Sequence, residues 1–511
     1  MVFNSILFIF VFLPLALLGF RLSARLGHQA AVAWLVGVSL LFYGWWAPQY
    51  LILLCGSMVF NYGAGLLIQR TSTQVRRQQV VLFLAVVSNI ALLGYFKYLF
   101  PLLSWVEHLG IHLGPVPNSI LLPLGISFFT FTQIGYLIDC KAGLTSNCGF
   151  LNYCLFVTFF PHLIAGPILH HKEMVPQFAD KKLGDFRFDN LVVGLSIFFI
   201  GLAKKDFIAD SFAPQVANGF DHAGKISTAQ AWCSLLSYSI QLYFDFSGYS
   251  EMAVGLARMF NVRMPANFDS PYKAASIIDY WQRFHMTLTR YVNLYLYNPI
   301  ALDITRRRAA KRLPVGRPGL KTWGGFLGMV AIPTFCTMTL AGIWHGAGVN
   351  FVIFGLLHSF YLTVNHAWRL LFHKKNAPVP SAPVRWLRTT WKVLLTFLAM
   401  LFAQLFFRAA SFSDALAMLH NLVGLHYEPL ATKTAEPAFR PLFAAFAIVW
   451  LCPNVLQVFA PWEPTLSKPH ASVSPWLQWK PNLVWACVIG VIATLAILSI
   501  AGQTEFLYFR F

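Results

Sequence analysis

A chain of 511 residues that is 57% hydrophobic and only 11% charged lies far from soluble averages, where roughly a quarter of residues are charged, so water is not its main solvent. Its 38 Lys+Arg against 19 Asp+Glu give a formal net charge of +19, but the basic residues gather in short loops between apolar runs, which is positive-inside topology and argues against a nucleic-acid partner. The eight cysteines stand singly with no Cys-x-x-Cys pair, so neither a zinc site nor a disulfide framework is expected, and no metal is assigned.

The first apolar run, Phe3 to Phe20, follows Met1 and Val2 without a basic n-region or a small-residue cleavage site. It reads as a retained span, with Arg21 and Arg25 inside and the N-terminus outside. Further spans fit Ala31 to Trp46, Tyr50 to Ile68, Val80 to Phe96, Leu121 to Ile138 and Leu191 to Ala203. From Phe150 to Leu169 the apolar run is broken by Pro161, Gly166 and Pro167, which predicts a kinked or re-entrant segment enclosed by protein.

Between Asp245 and Asn298 the composition is too polar for a lipid-facing span and too aromatic for a solvent loop, so short buried or interfacial helices are expected there. Later spans cover Trp323 to Trp344, Asn350 to Asn365, Val393 to Phe407, Pro441 to Leu451 with its neighbours, and Leu483 to Ile500. The count comes to about eleven spans of the length a bilayer requires. Two basic loops, residues 305–322 with Arg306, Arg307, Arg308, Lys311, Arg312, Arg317 and Lys321, and residues 369–392, should be cytoplasmic. No fixed-period repeat, low-complexity tract or soluble domain interrupts the pattern, so residues 1–511 read as one all-α, polytopic membrane domain. A Gly-x-x-x-x-Gly-Lys-Ser/Thr loop is absent, which leaves an ATP-driven pump without support.

An ionisable group at membrane depth is costly unless used or paired. His345 lies in Ala341-Gly-Ile-Trp-His-Gly-Ala-Gly348, where glycines let backbone or a thin acyl chain approach the ring. His285 lies in Tyr280-Trp-Gln-Arg-Phe-His-Met-Thr-Leu-Thr-Arg290, and helical spacing would place Trp281, His285, Leu288, Val292 and Tyr295 on one face. On residues alone, a histidine in that setting is more often a hydrogen-bonded core group than a catalyst. His358 follows His345 by thirteen positions, and on a continuous helix it would stand about 20 Å further along and about 140° around the axis. It therefore reads as structural or pathway-lining.

Acyl transfer to a hydroxyl needs a base, and neutral histidine suits that near neutral pH. A water-poor tunnel would protect a thioester from hydrolysis. No Gly-x-Ser-x-Gly elbow is present, since Gly248-Tyr-Ser-Glu-Met252 lacks the second glycine, so a serine nucleophile is not expected. Direct transfer and relay through a histidine both stay open.

An ordered set of segments resembles the bacterial membrane-bound O-acyltransferases, above all the alginate O-acetylation branch and its cellulose and peptidoglycan relatives. The set comprises Phe96-Lys-Tyr98, Leu122-Pro-Leu-Gly-Ile-Ser-Phe-Phe-Thr-Phe131, Phe160-Pro-His-Leu-Ile-Ala-Gly-Pro167, Gly201-Leu-Ala-Lys-Lys205, Tyr243-Phe-Asp-Phe-Ser-Gly-Tyr-Ser250, the His285 segment, Gly342-Ile-Trp-His-Gly-Ala347 and Phe406-Phe-Arg-Ala409. The resemblance implies that His345 is the catalytic histidine and His285 the second histidine, on a re-entrant helix. It reverses the core reading of His285. It also implies a ring of tilted helices around a thinned centre, where a tunnel joins a cytoplasmic thioester donor, acetyl-CoA or another acyl thioester, to an external acceptor. Trp344, Trp281, Tyr243, Asp245, Ser247 and Asn350 are the expected lining residues; no bound cofactor is expected. Departures from the family pattern are Gln282 where Arg is usual, Phe284 where Trp is usual, Glu251 where Asp is usual, and the lack of Pro-Leu-Gly-Gly beyond Pro299.

The expected activity is O-acyl transfer, acetyl first, onto an exported polysaccharide from the bacterial inner membrane, directly or through a periplasmic acetyltransferase partner. D-alanyl or peptidoglycan O-acyl transfer is the enzymatic alternative. A transporter or scaffold that makes no bonds is the non-enzymatic one.

Overall fold

In a computed structural model of the chain, the described residues are 1–111, 122–145, 148–372, 381–425, 439–500 and 506–507. Helices dominate, and among the described residues no strand forms; one isolated bridge joins Phe268 and Phe284. Among the described residues, six helical runs are long and apolar enough to cross a membrane: Phe8–Leu26, His28–Trp46, Pro48–Arg70, Val75–Lys97, Trp323–His345 and Ala382–Arg408. Phe439–Leu451 and Leu483–Leu498 are shorter apolar helices. The larger number expected from hydropathy includes stretches that fold as shorter or more polar helices. Leu121, the expected start of one span, and residues 373–380 within the second basic loop lie outside the described residues.

The helices used below are α1 (Leu13–Leu26), α2 (His28–Trp46), α3 (Leu51–Arg70), α4 (Val75–Lys97), α5 (Ile126–Lys141), α6 (Phe150–Thr158), α7 (Phe188–Leu202), α8 (Thr228–Met259), α9 (Ile277–Trp281), α10 (Met286–Val292), α11 (Ile332–His345), α12 (Val349–Phe372) and α13 (Ala382–Arg408). The described residues divide between two compact units, one built from those within 1–207, 245–266 and 455–507, the other from those within 208–244 and 267–454.

In the first unit, α3 to α6 are joined by buried amides. Asn61 and Asn89 exchange side-chain hydrogen bonds at 3.1 and 2.7 Å, Asn61 also donates to Gln133 at 2.9 Å, and the Tyr153 hydroxyl donates to Gln133 at 3.2 Å. Between helices in lipid, such bonds replace the hydrophobic driving force that water would supply. The expected break in the Phe150 run falls after Thr158, and a short helix, Phe160–Leu163, follows with Pro161 in its first turn. After α7 a π-helical turn, Ala203–Ala209, carries two lysines into ion pairs with α8: Lys204 with Glu251 at 2.5 Å and Lys205 with Asp245 at 3.0 Å. A buried charge needs such a partner.

In the second unit, α11 and α12 form an antiparallel hairpin. The chain between them, residues 346–348, is non-helical, because Gly346 leaves helical geometry at φ −171°. Backbones meet at Gly342 and Gly355. A Cβ on Gly342 would overlap the Phe351 carbonyl oxygen, and one on Gly355 would stand 2.6 Å from the Met338 carbonyl oxygen. Gly342 thus serves helix packing rather than access to His345.

Candidate active site

His345 is the last residue of α11, at the closed tip of the hairpin, and is 6% exposed. Its ring meets Phe407 of α13 edge-on at 5.1 Å, Phe354 of α12 at 6.1 Å and its neighbour Trp344 at 4.8 Å. Asn350, in the first turn of α12, donates to the Ala409 carbonyl at 2.9 Å and so ties the tip to the end of α13. Aromatic rings on three sides fix where the imidazole stands.

His285 does not lie on a continuous helix. Helix α9 stops at Trp281, and His285 adopts a left-handed conformation, φ 47° and ψ 50°, as the residue that opens α10. The expected face of Trp281, His285, Leu288, Val292 and Tyr295 is therefore broken between its first two members. Tertiary hydrogen bonds win over local spacing here: the Asp269 amide donates to the Arg283 carbonyl at 2.9 Å and the Met286 amide to the Asn267 carbonyl at 2.9 Å, while Phe284 packs on Phe268 and Tyr280. A non-glycine residue at positive φ costs free energy, and such outliers concentrate at functional sites.

The side chain of Asn267 orients the His285 ring. Its Oδ1 accepts from Thr287 twice, from the backbone amide at 3.3 Å and from Oγ1 at 2.8 Å, and lies 3.0 Å from His285 Nδ1. An amide oxygen only accepts, so Nδ1 carries the proton and Nε2 of the neutral ring is the basic nitrogen. Burial lowers the His285 pKa and favours that neutral ring.

Of the other expected lining residues, Trp281 and Trp344 are buried, and the Trp281 indole donates to His358 Nδ1 at 3.2 Å. Tyr243 packs against Phe268 and Tyr272 in the stretch that leads to His285. Asp245 is held by Lys205, and its second oxygen accepts from the Leu507 amide at 3.2 Å, while Ser247 is buried on α8 one turn from Glu251. The latter two belong to the first compact unit and the others to the second. His358 stands in a different relation to His345 than a straight helix would give. The hairpin folds α12 back along α11, and the Phe354 ring contacts both histidine rings, at 6.1 and 4.5 Å. Asn267 and Phe354 carried no signal in the sequence, since neither lies in a chemically suggestive spacing.

Comparison with known proteins gives the same direction. The model of the membrane-bound O-acyltransferase family matches residues 57–313. A peptidoglycan O-acetyltransferase from Helicobacter pylori is 36% identical over 100% of this chain and 98% of its own length. A protein named "Probable alginate O-acetylase" from Pseudomonas aeruginosa is 31% identical over the full length of both chains. A teichoic acid D-alanyltransferase from Bacillus subtilis is 26% identical over 55% of this chain and 67% of its own length. With a buried histidine at a hairpin tip, a second histidine strained and oriented by an amide, and relatives that span the whole chain, this protein belongs to the membrane-bound O-acyltransferase family and is an O-acyltransferase.

Proposed function

We propose that the enzyme moves an acetyl group from a cytoplasmic thioester to a hydroxyl of an exported polysaccharide, with His345 as the base and His285 as a second, oriented histidine. The observation that carries this reading is the His285 geometry, a strained residue whose Nδ1–H is engaged by Asn267, which puts the lone pair of the neutral ring on Nε2. In the transfer the hydroxyl oxygen attacks the thioester carbonyl carbon, the carbon–oxygen bond forms and the carbon–sulfur bond breaks. The histidine takes the hydroxyl proton and returns it to the leaving thiolate. Acetyl is favoured over D-alanyl because the relatives named for acetylation align along the whole chain, whereas the D-alanyltransferase aligns along about half.

The chain sits in the bacterial inner membrane with residues 305–322 on the cytoplasmic side, as their basic residues require. Exported glycan then meets the site from the opposite face, directly or through a periplasmic acetyltransferase partner. A deletion strain complemented with wild type or His345→Ala tests the reading. The polysaccharide that loses its O-acetyl esters on deletion identifies the acceptor. Restoration of those esters by His345→Ala at normal protein level would remove the histidine mechanism.

A further inference from the structure

Helix α12 buries Asn350, Phe354 and His358 at four-residue intervals, which places all three on one face. Phe354 is the middle member, in ring contact with His345 on one side and His358 on the other. The hairpin gives this stripe a direction. His345 lies at its closed tip, while the open end carries Lys321 ahead of the Trp323–His345 run and Arg369 near the end of α12. A ligand that approaches His345 along this face from the basic end passes His358 first.

His358 is fully buried and its ring is fixed on two sides, by Phe354 at 4.5 Å and by Trp281 at 4.9 Å. The Trp281 indole N–H only donates, and it points at His358 Nδ1 at 3.2 Å, so Nδ1 is the acceptor and Nε2 of the neutral ring carries the proton. That Nε2 has no hydrogen-bond partner among the described residues. A buried donor left unmet is costly and is rarely retained without a use.

We propose that His358 is a recognition residue for the acyl donor, its Nε2–H donating to the amide carbonyl oxygen nearest the thioester sulfur of a pantetheine arm. The chemistry fits on two counts. The arm of coenzyme A or of a carrier protein bears an amide two carbons from its sulfur, about one side chain's length from the reacting carbon, and Phe354 spaces His358 from His345 by one aromatic ring. The phosphate that ends the arm would face the basic end of the hairpin. This inference rests on the thioester-donor reading above.

The test compares two synthetic acetyl donors in membrane vesicles that carry the full chain, with thiol release as the readout. S-acetyl-N-acetylcysteamine has the amide; butyl thioacetate does not. The wild type should prefer the first by about tenfold in kcat/KM, the size of one well-placed hydrogen bond. His358→Phe should abolish that preference by bringing kcat/KM for S-acetyl-N-acetylcysteamine down to that for butyl thioacetate, and His358→Gln, which keeps an N–H, should restore most of it. Loss of both donors alike in His358→Phe, or a preference that survives it, overturns the role of His358 and leaves the donor reading standing. A wild type that releases thiol from neither donor overturns the donor reading itself and this inference with it.

Discussion

The amide network of α3 to α6 and the α11–α12 hairpin both bury polar side chains, but they dispose of them differently. In the network Asn61, Asn89, Gln133 and Tyr153 are bonded to one another, and Gln133 Nε2 also donates to Ser57 at 3.0 Å. At the hairpin Asn350 Oδ1 and His358 Nε2 have no hydrogen-bond partner among the described residues, although the opposite end of each side chain is firmly held. Paired polar groups at membrane depth act as glue between helices. A group anchored at one end and unmet at the other is poised for a ligand. The same residue types therefore do structural work in one place and point to chemistry in the other.

Substitutions can break that contrast. The largest effect is expected at the hairpin tip, where His345→Ala should lower O-acetylation by roughly 10²- to 10⁴-fold with normal insertion and accumulation, measured as ester content per unit of protein. His285→Ala should also cripple transfer but leave a residue of it if the ring orients or binds rather than takes the proton. Asn267→Ala removes the acceptor of His285 Nδ1 and should cost roughly 10- to 100-fold, the usual scale for loss of a group that orients a functional histidine. Asn267→Asp keeps an acceptor and should recover most of that activity; failure to recover would assign Asn267 to folding alone.

The network should respond the other way. Gln133→Leu is expected to destabilise the fold by about 1–3 kcal/mol, because Asn61, Tyr153 and Ser57 lose their common partner. Thermal unfolding in detergent would register the loss, and activity per folded molecule should be unchanged. A fall in specific activity as large as that of Asn267→Ala would erase the distinction between the two regions.

The smallest effect concerns the basic segment after α10. Arg307 pairs with Asp303 at 2.7 Å, and Arg308 donates to the Pro314 carbonyl at 3.2 Å and the Gly324 carbonyl at 3.2 Å, so both hold local structure. Arg306, Lys311 and Arg312 are exposed. Neutralising these three should raise the donor KM more than it lowers kcat, by a factor that shrinks with added salt, as expected if they concentrate an anionic donor. An unchanged KM at low salt would reduce them to topology and lipid binding.

The composition was enough to establish a multipass helical membrane protein, because a bilayer demands long apolar helices and basic inner loops whatever the fold. Pro161 likewise announced the break after Thr158, since proline acts through the local backbone, whereas Gly346, read as giving access to the His345 ring, marks the end of its helix. His345 and His285 were legible as ionisable groups among apolar neighbours and as matches to family motifs. Their setting was not. The left-handed turn at His285 exists because residues 267–269, about eighteen positions earlier, capture residues 283–286 by hydrogen bonds, and no spacing rule within the segment encodes that. The meeting of Trp281 with His358 across 77 residues, and of both histidines of the hairpin with Phe354, likewise depends on α12 folding back on α11, a choice made by helix packing at Gly342 and Gly355. Local chemistry follows from the sequence; which side chains converge is decided only when distant backbones close on one another.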